Sequence, residues 1–410
     1  MNRMKKIFAG TVAFMMLLGS MTTTVLADDT NYWGESIEEV EATFAQASAV
    51  AEELETATPA EAAALSEELN TVAPVQYVPL WGQLRYDTAA RIAMKAFPAG
   101  ESVDTVVIAC GNDFPDALSA NGLAGSLDCP LLLSDRGELT AATKELLIDH
   151  WGDGVSTNID KAYLIGLGFS DAMKAGLAEI GLTEDKVVVL GGMDRYETAE
   201  EVFDQIIDLN VASGKLDRPV FVASGKRSPD ALSVSPISYY FGAPILLTDG
   251  ATLTEKTQEC LQMASAVYIL GGTATVQPAA ENIVVNIVGA KNFERLAGDD
   301  RYLTAAKINH EFAGDVKTTT RLIVAYNAED KDFPDALSSG MLSRIGKAEG
   351  EYTVTMLVKP DCTNALNYIT NHFFNGFAKE VFLTGGQTNR SPMIDQIKAA
   401  VDAEHNGACH

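Results

Sequence analysis

Residues 220–248 read VFVASGKRSPDALSVSPISYYFGAPILLT, and this stretch decides the fold. It opens on Val220–Ala223, an apolar run too short for a helix and without polar alternation. A glycine-containing loop leads to Pro229 and Asp230. Pro suits the first turn of a helix, and Asp there complements the helix dipole, so Pro229–Phe241 reads as a helix. Pro244 then opens a second apolar run, Ile245–Thr248. Strands that are continuously apolar are strands covered on both faces, as in parallel sheets flanked by helices. Working outward, Val187–Leu190 reads as a strand and Arg195–Leu209 as a helix on the N-terminal side. Thr254–Met263 and Val267–Leu270 continue the alternation on the other. The expected fold is an α/β unit of Rossmann-like or flavodoxin-like type.

The same landmarks recur in fixed order. Gly-x-x-Arg-Tyr-x-Thr-Ala occurs with Gly82, Arg85 and Tyr86, with Gly192, Arg195 and Tyr196, and with Gly298, Arg301 and Tyr302. Pro-Asp-Ala-Leu-Ser occurs at 115–119, 229–233 and 334–338. An apolar strand opened by Pro follows at Pro130 and Pro244, and one closed by Gly at Gly166, Gly271 and Gly385. A repeat of about 100–115 residues exceeds solenoid periods, so each copy can hold a small core. Three tandem units are expected, at 74–185, 186–283 and 284–402, with a tail at 403–410. The third departs from the others: Lys359 stands where they have Asp135 and Asp249, and five extra residues separate its Pro334 from its next strand. Its chemistry should differ accordingly. Adjacent units joined by turns as short as Gly181–Thr183 are expected to touch and form one cooperative body.

The rest of the chain is soon placed. Arg3, Lys5 and Lys6, the apolar run Ile7–Leu18 and the small residues Val25 and Ala27 at the −3 and −1 positions predict a secretion signal over 1–27, cleaved after Ala27. No later stretch is apolar for long enough to span a membrane. Residues 28–75 carry 12 acidic residues and no basic one. Capping boxes at Ser36 and Thr58 predict two helices, about 36–56 and 59–70, within an acidic spacer over 28–73. A spacer resting its apolar stripe on the main body is the plainer reading; a short coiled coil with a partner or second copy through 36–70 is the alternative. Thirty Lys and Arg against 56 Asp and Glu give a net charge of −26. Such a chain is a poor non-specific ligand for nucleic acid, which rewards positive charge. Five cysteines, Cys110, Cys129, Cys260, Cys362 and Cys409, match no zinc or redox spacing. They read as free thiols, with a Cys110–Cys129 bridge as the alternative.

Asp116, Asp230 and Asp335 fit a helix start, but that role does not explain why the residue is Asp each time. Arg85, Arg195 and Arg301 are harder to place, because a cation near a helix N-terminus opposes the dipole. Either each forms an internal bidentate pair with a carboxylate, with Asp116, Asp230 and Asp335 as candidates, or each grips an anionic ligand. Ligands of open α/β sheets sit at the carboxyl ends of the strands. The loops there are 111–114, 225–228 and 327–333, and of these the second carries adjacent cations, Lys226 and Arg227, beside a helix N-terminus suited to phosphate. Catalytic signatures are lacking. Gly166-Leu167-Gly168 lacks the third glycine of a dinucleotide fingerprint, Gly225-Lys226 lacks the rest of a P-loop, and the five histidines show no metal-ligand spacing. No catalytic residue, cofactor or metal is expected. Tripled features favour binding over catalysis.

These tripled motifs resemble the cell-wall-binding repeat 2 family of Gram-positive surface proteins, over about residues 74–402. The resemblance implies three Rossmann-like units in a pseudo-threefold body, anchored non-covalently to an anionic secondary wall polymer, teichoic-type or a phosphorylated glycan. Modules of that family are often joined to an effector domain, and none is expected here. The alternative is a secreted wall-active enzyme or amidase modifier. An acidic protein and an anionic polymer repel at long range, so binding must rest on a local positive site, bridging cations or sugar contacts.

Overall fold

Among the described residues, the apolar runs form twelve parallel strands in three sheets of four. The computed structural model describes residues 75–210, 216–313, 319–327, 336–359, 379–385, 395 and 397–399. The secretion signal, the spacer helices, residues 328–333 of the third strand-end loop, the tail, Asp335, Cys362 and Cys409 lie outside the described residues. The first sheet holds β2 (Thr105–Cys110), β3 (Leu131–Ser134), β4 (Lys161–Ile165) and β5 (Val187–Leu190), in the order β3-β2-β4-β5. The second holds β6 (Leu216–Ser224), β7 (Ile245–Thr248), β8 (Ala264–Leu270) and β9 (Phe293–Leu296), in the order β7-β6-β8-β9. Both have the flavodoxin-like strand order.

The third sheet follows the same plan with strands from both ends of the repeat region. β10 (Thr319–Tyr326), β11 (Tyr352–Val358) and β12 (Glu380–Thr384) are completed by β1 (Gln76–Pro79), in the order β1-β12-β10-β11. β1 runs parallel to β12, with Gln76 opposite Glu380. Likewise β5, which precedes the second Arg-Tyr motif, pairs with β4 of the first sheet, and β9 with β8 of the second. Each sheet thus takes its fourth strand from just before the next motif, and the strand before the first motif closes the third sheet. The described residues from Val75 onward form one compact unit.

The Pro-Asp-Ala-Leu-Ser helices fill the middle. Phe114–Leu127 is buried from Phe114 to Gly125 and Pro229–Phe241 from Pro229 to Tyr239, so neither keeps a solvent face. They pack on each other and on a 3₁₀ segment, Ser339–Arg344, the counterpart from the third copy. A helix was expected there; the observed turns run on through Gly346 and Gly350, both in the left-handed region, and take up the extra residues of that copy. Close approach sets the composition: a Cβ on Gly125 would run into the Tyr239 carbonyl oxygen, and one on Gly122 into that of Ala243. The Tyr239 hydroxyl donates to the Cys129 carbonyl at 2.9 Å, and Asn121 Nδ2 to the Leu337 carbonyl at 3.2 Å, so all three units are bonded across the centre.

Candidate functional site

Each Arg-Tyr motif first folds onto itself. The N–H groups of Gly82, Gly192 and Gly298 donate to the hydroxyls of Thr88, Thr198 and Thr304 at 3.0, 3.2 and 3.0 Å. The arginine that opens the helix then turns to the end of a neighbouring strand. Arg85 donates to the Gly111 carbonyl, Arg195 to the Gly225 carbonyl at 2.5 Å, and Arg301 to Asn327 Oδ1 at 2.7 Å. The tyrosine packs beside it, and a Cβ on Gly111 or Gly225 would strike the Tyr86 or Tyr196 ring. In the third copy Asn327 replaces that glycine, and the Tyr302 hydroxyl donates to the Asn327 carbonyl at 3.0 Å.

Each clasp crosses between sheets. Arg85 follows β1 of the third sheet and holds the end of β2 in the first. Arg195 follows β5 of the first and holds the end of β6 in the second. Arg301 follows β9 of the second and holds the end of β10 in the third. The carboxyl edges of the three sheets are therefore joined on one side of the body, which is where α/β sheets bind ligands. The cation that opposes the helix dipole is offset by strand-end oxygens.

The expected pairing of one of these arginines with Asp116 is corrected. Arg195 does meet a carboxylate, but it is Asp113, at 3.5 Å. Asp116 is bound by Arg136, whose Nη2 lies 2.6 Å from Oδ2. Asp230 accepts from the Thr275 hydroxyl at 3.4 Å. Both aspartates sit at the switch point of their sheets, against Gly166 and Gly271, whose φ values are +98° and +95°. A Cβ on either glycine would run into the carboxylate, and the longer Glu side chain would carry the carboxylate past this contact. Sheets with this strand order hold phosphates at this crevice. Here the chain's own carboxylate fills it, and the Gly166-Leu167-Gly168 turn is the wall it packs on. Burial pushes the Asp116 carboxyl above its ordinary range, against the pull of Arg136.

Around this frame the three edges differ. In the first, Asn112 Nδ2 donates to Asp135 Oδ2 at 2.5 Å and the Tyr86 hydroxyl to Asn112 Oδ1 at 3.2 Å; the Gly137 N–H, above all, holds Asp135 below the usual carboxylate range. In the second, Lys226 and Arg227 are exposed, and Asp249 is held low by the N–H groups of Thr252 and Ala251, with Lys226 adding a smaller pull. In the third, Lys359 lies 5.2 Å from the centre of the Tyr302 ring, so a cation stands where the others have a carboxylate. Arg136 escaped the sequence reading because it is not repeated; its signal is that it directly follows the strand-end Asp135.

Among the described residues, no group of three or more His, Cys, Asp and Glu converges as a metal site, and no helix is long and apolar enough to cross a membrane. Cys110, Cys129 and Cys260 are buried free thiols, which excludes the Cys110–Cys129 bridge. Burial pushes the Cys260 thiol up to about 12, far from a reactive thiolate.

The family model for cell wall binding domain 2 (CWB2) matches residues 80–175, 189–281 and 295–394. The first match begins just after β1, and the other two begin in the last residues of β5 and β9. N-acetylmuramoyl-L-alanine amidase LytC of Bacillus subtilis (strain 168) is 26% identical over 265 residues, 64% of this chain and 47% of that protein. The amidase enhancer of the same strain is 26% identical over 229 residues, 55% of this chain and 28% of that protein. The chain thus spans less than half the length of these curated relatives. Among solved structures, Cwp6 from Clostridium difficile superposes with a TM-score of 0.66 at 21% identity, over 80% of this chain and 48% of that one. Cwp8 from Clostridium difficile gives 0.65 at 23% identity, over 83% and 55%. At these identities the two structures show a shared fold.

Proposed function

The chain belongs to the cell wall binding domain 2 family and is a cell-wall surface protein, and from that premise we propose that it is a non-catalytic anchor for an anionic secondary wall polymer, teichoic-type or a phosphorylated glycan, held at the joined carboxyl edges of its three sheets. The observation that carries this reading is how the tripled residues are spent. Arg85, Arg195 and Arg301 join the sheets, and Asp116 and Asp230 fill the crevices where a cofactor phosphate would otherwise sit. The recurring residues hold the platform, and the loop residues that differ between copies are left to meet a ligand.

Lys226 and Arg227 are the proposed polymer contacts of the second edge. Both are exposed, and they lie beside the N-terminus of the Pro229–Phe241 helix, where backbone N–H groups and the dipole favour an anion. In a chain of net charge −26 such a local positive site offsets the long-range repulsion. The Lys226→Glu, Arg227→Glu double variant is expected to keep its melting temperature and to lose wall retention by roughly tenfold or more, as the loss of two charge-assisted contacts implies. Pull-down with purified wall at low and moderate salt checks this. Retention equal to the parent at both salts, with the fold intact, would move the contact to bridging cations or sugars.

A further inference from the structure

The first edge carries a surface that neither other edge repeats. Arg136 lies across the 166–168 turn: atoms of its side chain are those a Cβ on Gly166 or Gly168 would approach. Among the described residues, only Nη2 of its guanidinium nitrogens has a protein acceptor, Asp116; Nε is buried without one there, and the side chain is 39% exposed. On the same turn Leu167 stands 46% exposed. The 191–193 turn packs directly on it, since a Cβ on Gly191 would meet the Gly166 carbonyl carbon and the Leu167 nitrogen. That turn carries Met193, 89% exposed. A half-open guanidinium and two exposed apolar side chains thus share one surface, built from the two turns and the end of β3.

The other copies show that the fold does not require it. At the positions of Arg136, Leu167 and Met193 the second copy has Gly250, Gly272 and Asp299, and the third has Pro360, Gly386 and Gln83. An apolar side chain as open as Met193 contributes little to folding and gains by being covered. A cation beside it supplies the polar half of a recognition site.

We propose that Arg136, Leu167 and Met193 form a selectivity subsite for one acidic sugar unit of the wall polymer, with the apolar face of the ring on Leu167 and Met193 and its phosphate on the open side of the Arg136 guanidinium. This rests on the anchor reading above. It assigns the first edge a different task from the second: Lys226 and Arg227 contribute charge, whereas the first edge reads the sugar that bears the charge.

Giving the first edge the residues of the second tests it. Met193→Asp alters a side chain that is 89% exposed and is expected to leave the melting temperature in place; Leu167→Gly, at a residue 46% exposed, is expected to lower it by a few degrees without unfolding the body. Each should lower retention on polymer-bearing wall by roughly tenfold, the size of one lost apolar contact. Arg136→Lys keeps the charge but loses the planar fork, and should also weaken retention. Size-fractionated polymer released from the wall by mild acid should compete with the wall for the parent, whereas inorganic phosphate at equal charge should compete poorly, since it lacks the ring. Met193→Asp and Leu167→Gly both retained like the parent would overturn the subsite while leaving the anchor intact, and so would phosphate competing as well as polymer. A parent that does not bind polymer-bearing wall would instead remove the anchor reading itself.

Discussion

Replacing Arg321 with alanine is expected to cost about 3–5 kcal/mol of folding stability, the size of breaking a buried ion pair by removing one partner. Arg321 stands in β10 between two carboxylates: Nη1 is 2.6 Å from Glu351 and Nε 2.7 Å from Glu380. The network extends to Lys379, 2.5 Å from Glu351, and to Lys95, 2.7 Å from Glu380. Lys95 belongs to the first Arg-Tyr helix, Arg85–Ala96, so these charges fasten the start of the repeat region to its last sheet, next to the β1–β12 pairing. Only 11% of the Arg321 side chain is exposed, and removing it leaves both carboxylates largely buried with lysines alone. The acid limb should change as well. Burial pushes Glu351 and Glu380 upward, but Lys379 and Arg321 on the first, and Lys95 and Arg321 on the second, outweigh it and hold both below their ordinary range. A depressed carboxylate contributes stability above its unfolded pKa, about 4.3 for Glu, and that contribution is lost as pH falls through the folded value. The parent should therefore lose stability from roughly pH 5 downward, and Arg321→Ala should start lower and fall less steeply. Chemical denaturation at pH 7, 5 and 4 checks both. Equal stability at pH 7 would mean that the network contributes nothing net.

The second large effect is expected at the centre. Gly125→Val places branched carbons where the Tyr239 carbonyl already lies, and backbone against backbone leaves no rotamer to escape through. The two central helices must separate, at a cost of about 1–3 kcal/mol or more. Because every sheet borrows a strand across a copy boundary, the loss should appear as one lowered thermal transition and not as the melting of a single unit. Gly272→Ala is the control: nothing lies near its added carbon and its φ is not in the left-handed region, so its melting point should stay near that of the parent. A Gly125→Val protein that melts in two steps would show that the units fold separately.

Much of this architecture is written in short-range patterns. Pro229–Phe241 and Ile245–Thr248 appear with the bounds their sequence implies, because Pro, an apolar run and a closing Gly act within a few residues. Partner choice between strands is a long-range matter. Nothing local in Val187–Leu190 says that it pairs with β4 and not with β6, and the short Gln76–Pro79 does not announce that it closes the third sheet. Phe293–Leu296 is interrupted by Glu294 and Arg295, and it forms a strand because Arg295 turns to the Gly271 carbonyl at 2.7 Å and to Glu281 at 2.9 Å. The recurring Arg and Asp could be found by counting, but not their partners. A carbonyl acceptor such as that of Gly225 carries no side-chain signature. Arg136 shows the converse. It occurs once, so no recurrence marks it, and the same holds for the exposed Lys226 and Arg227.

The proposed anchor holds an anionic wall polymer at its joined carboxyl edges and does no chemistry on the wall. Retention of the purified chain on cell wall, before and after mild acid removes the secondary polymer, tests it most directly. The expected result is binding to the intact wall that weakens as salt rises, loss of binding to the stripped wall, and no release of wall fragments over prolonged incubation. Undiminished binding to the stripped wall, or steady release of muropeptides from the intact one, would contradict it.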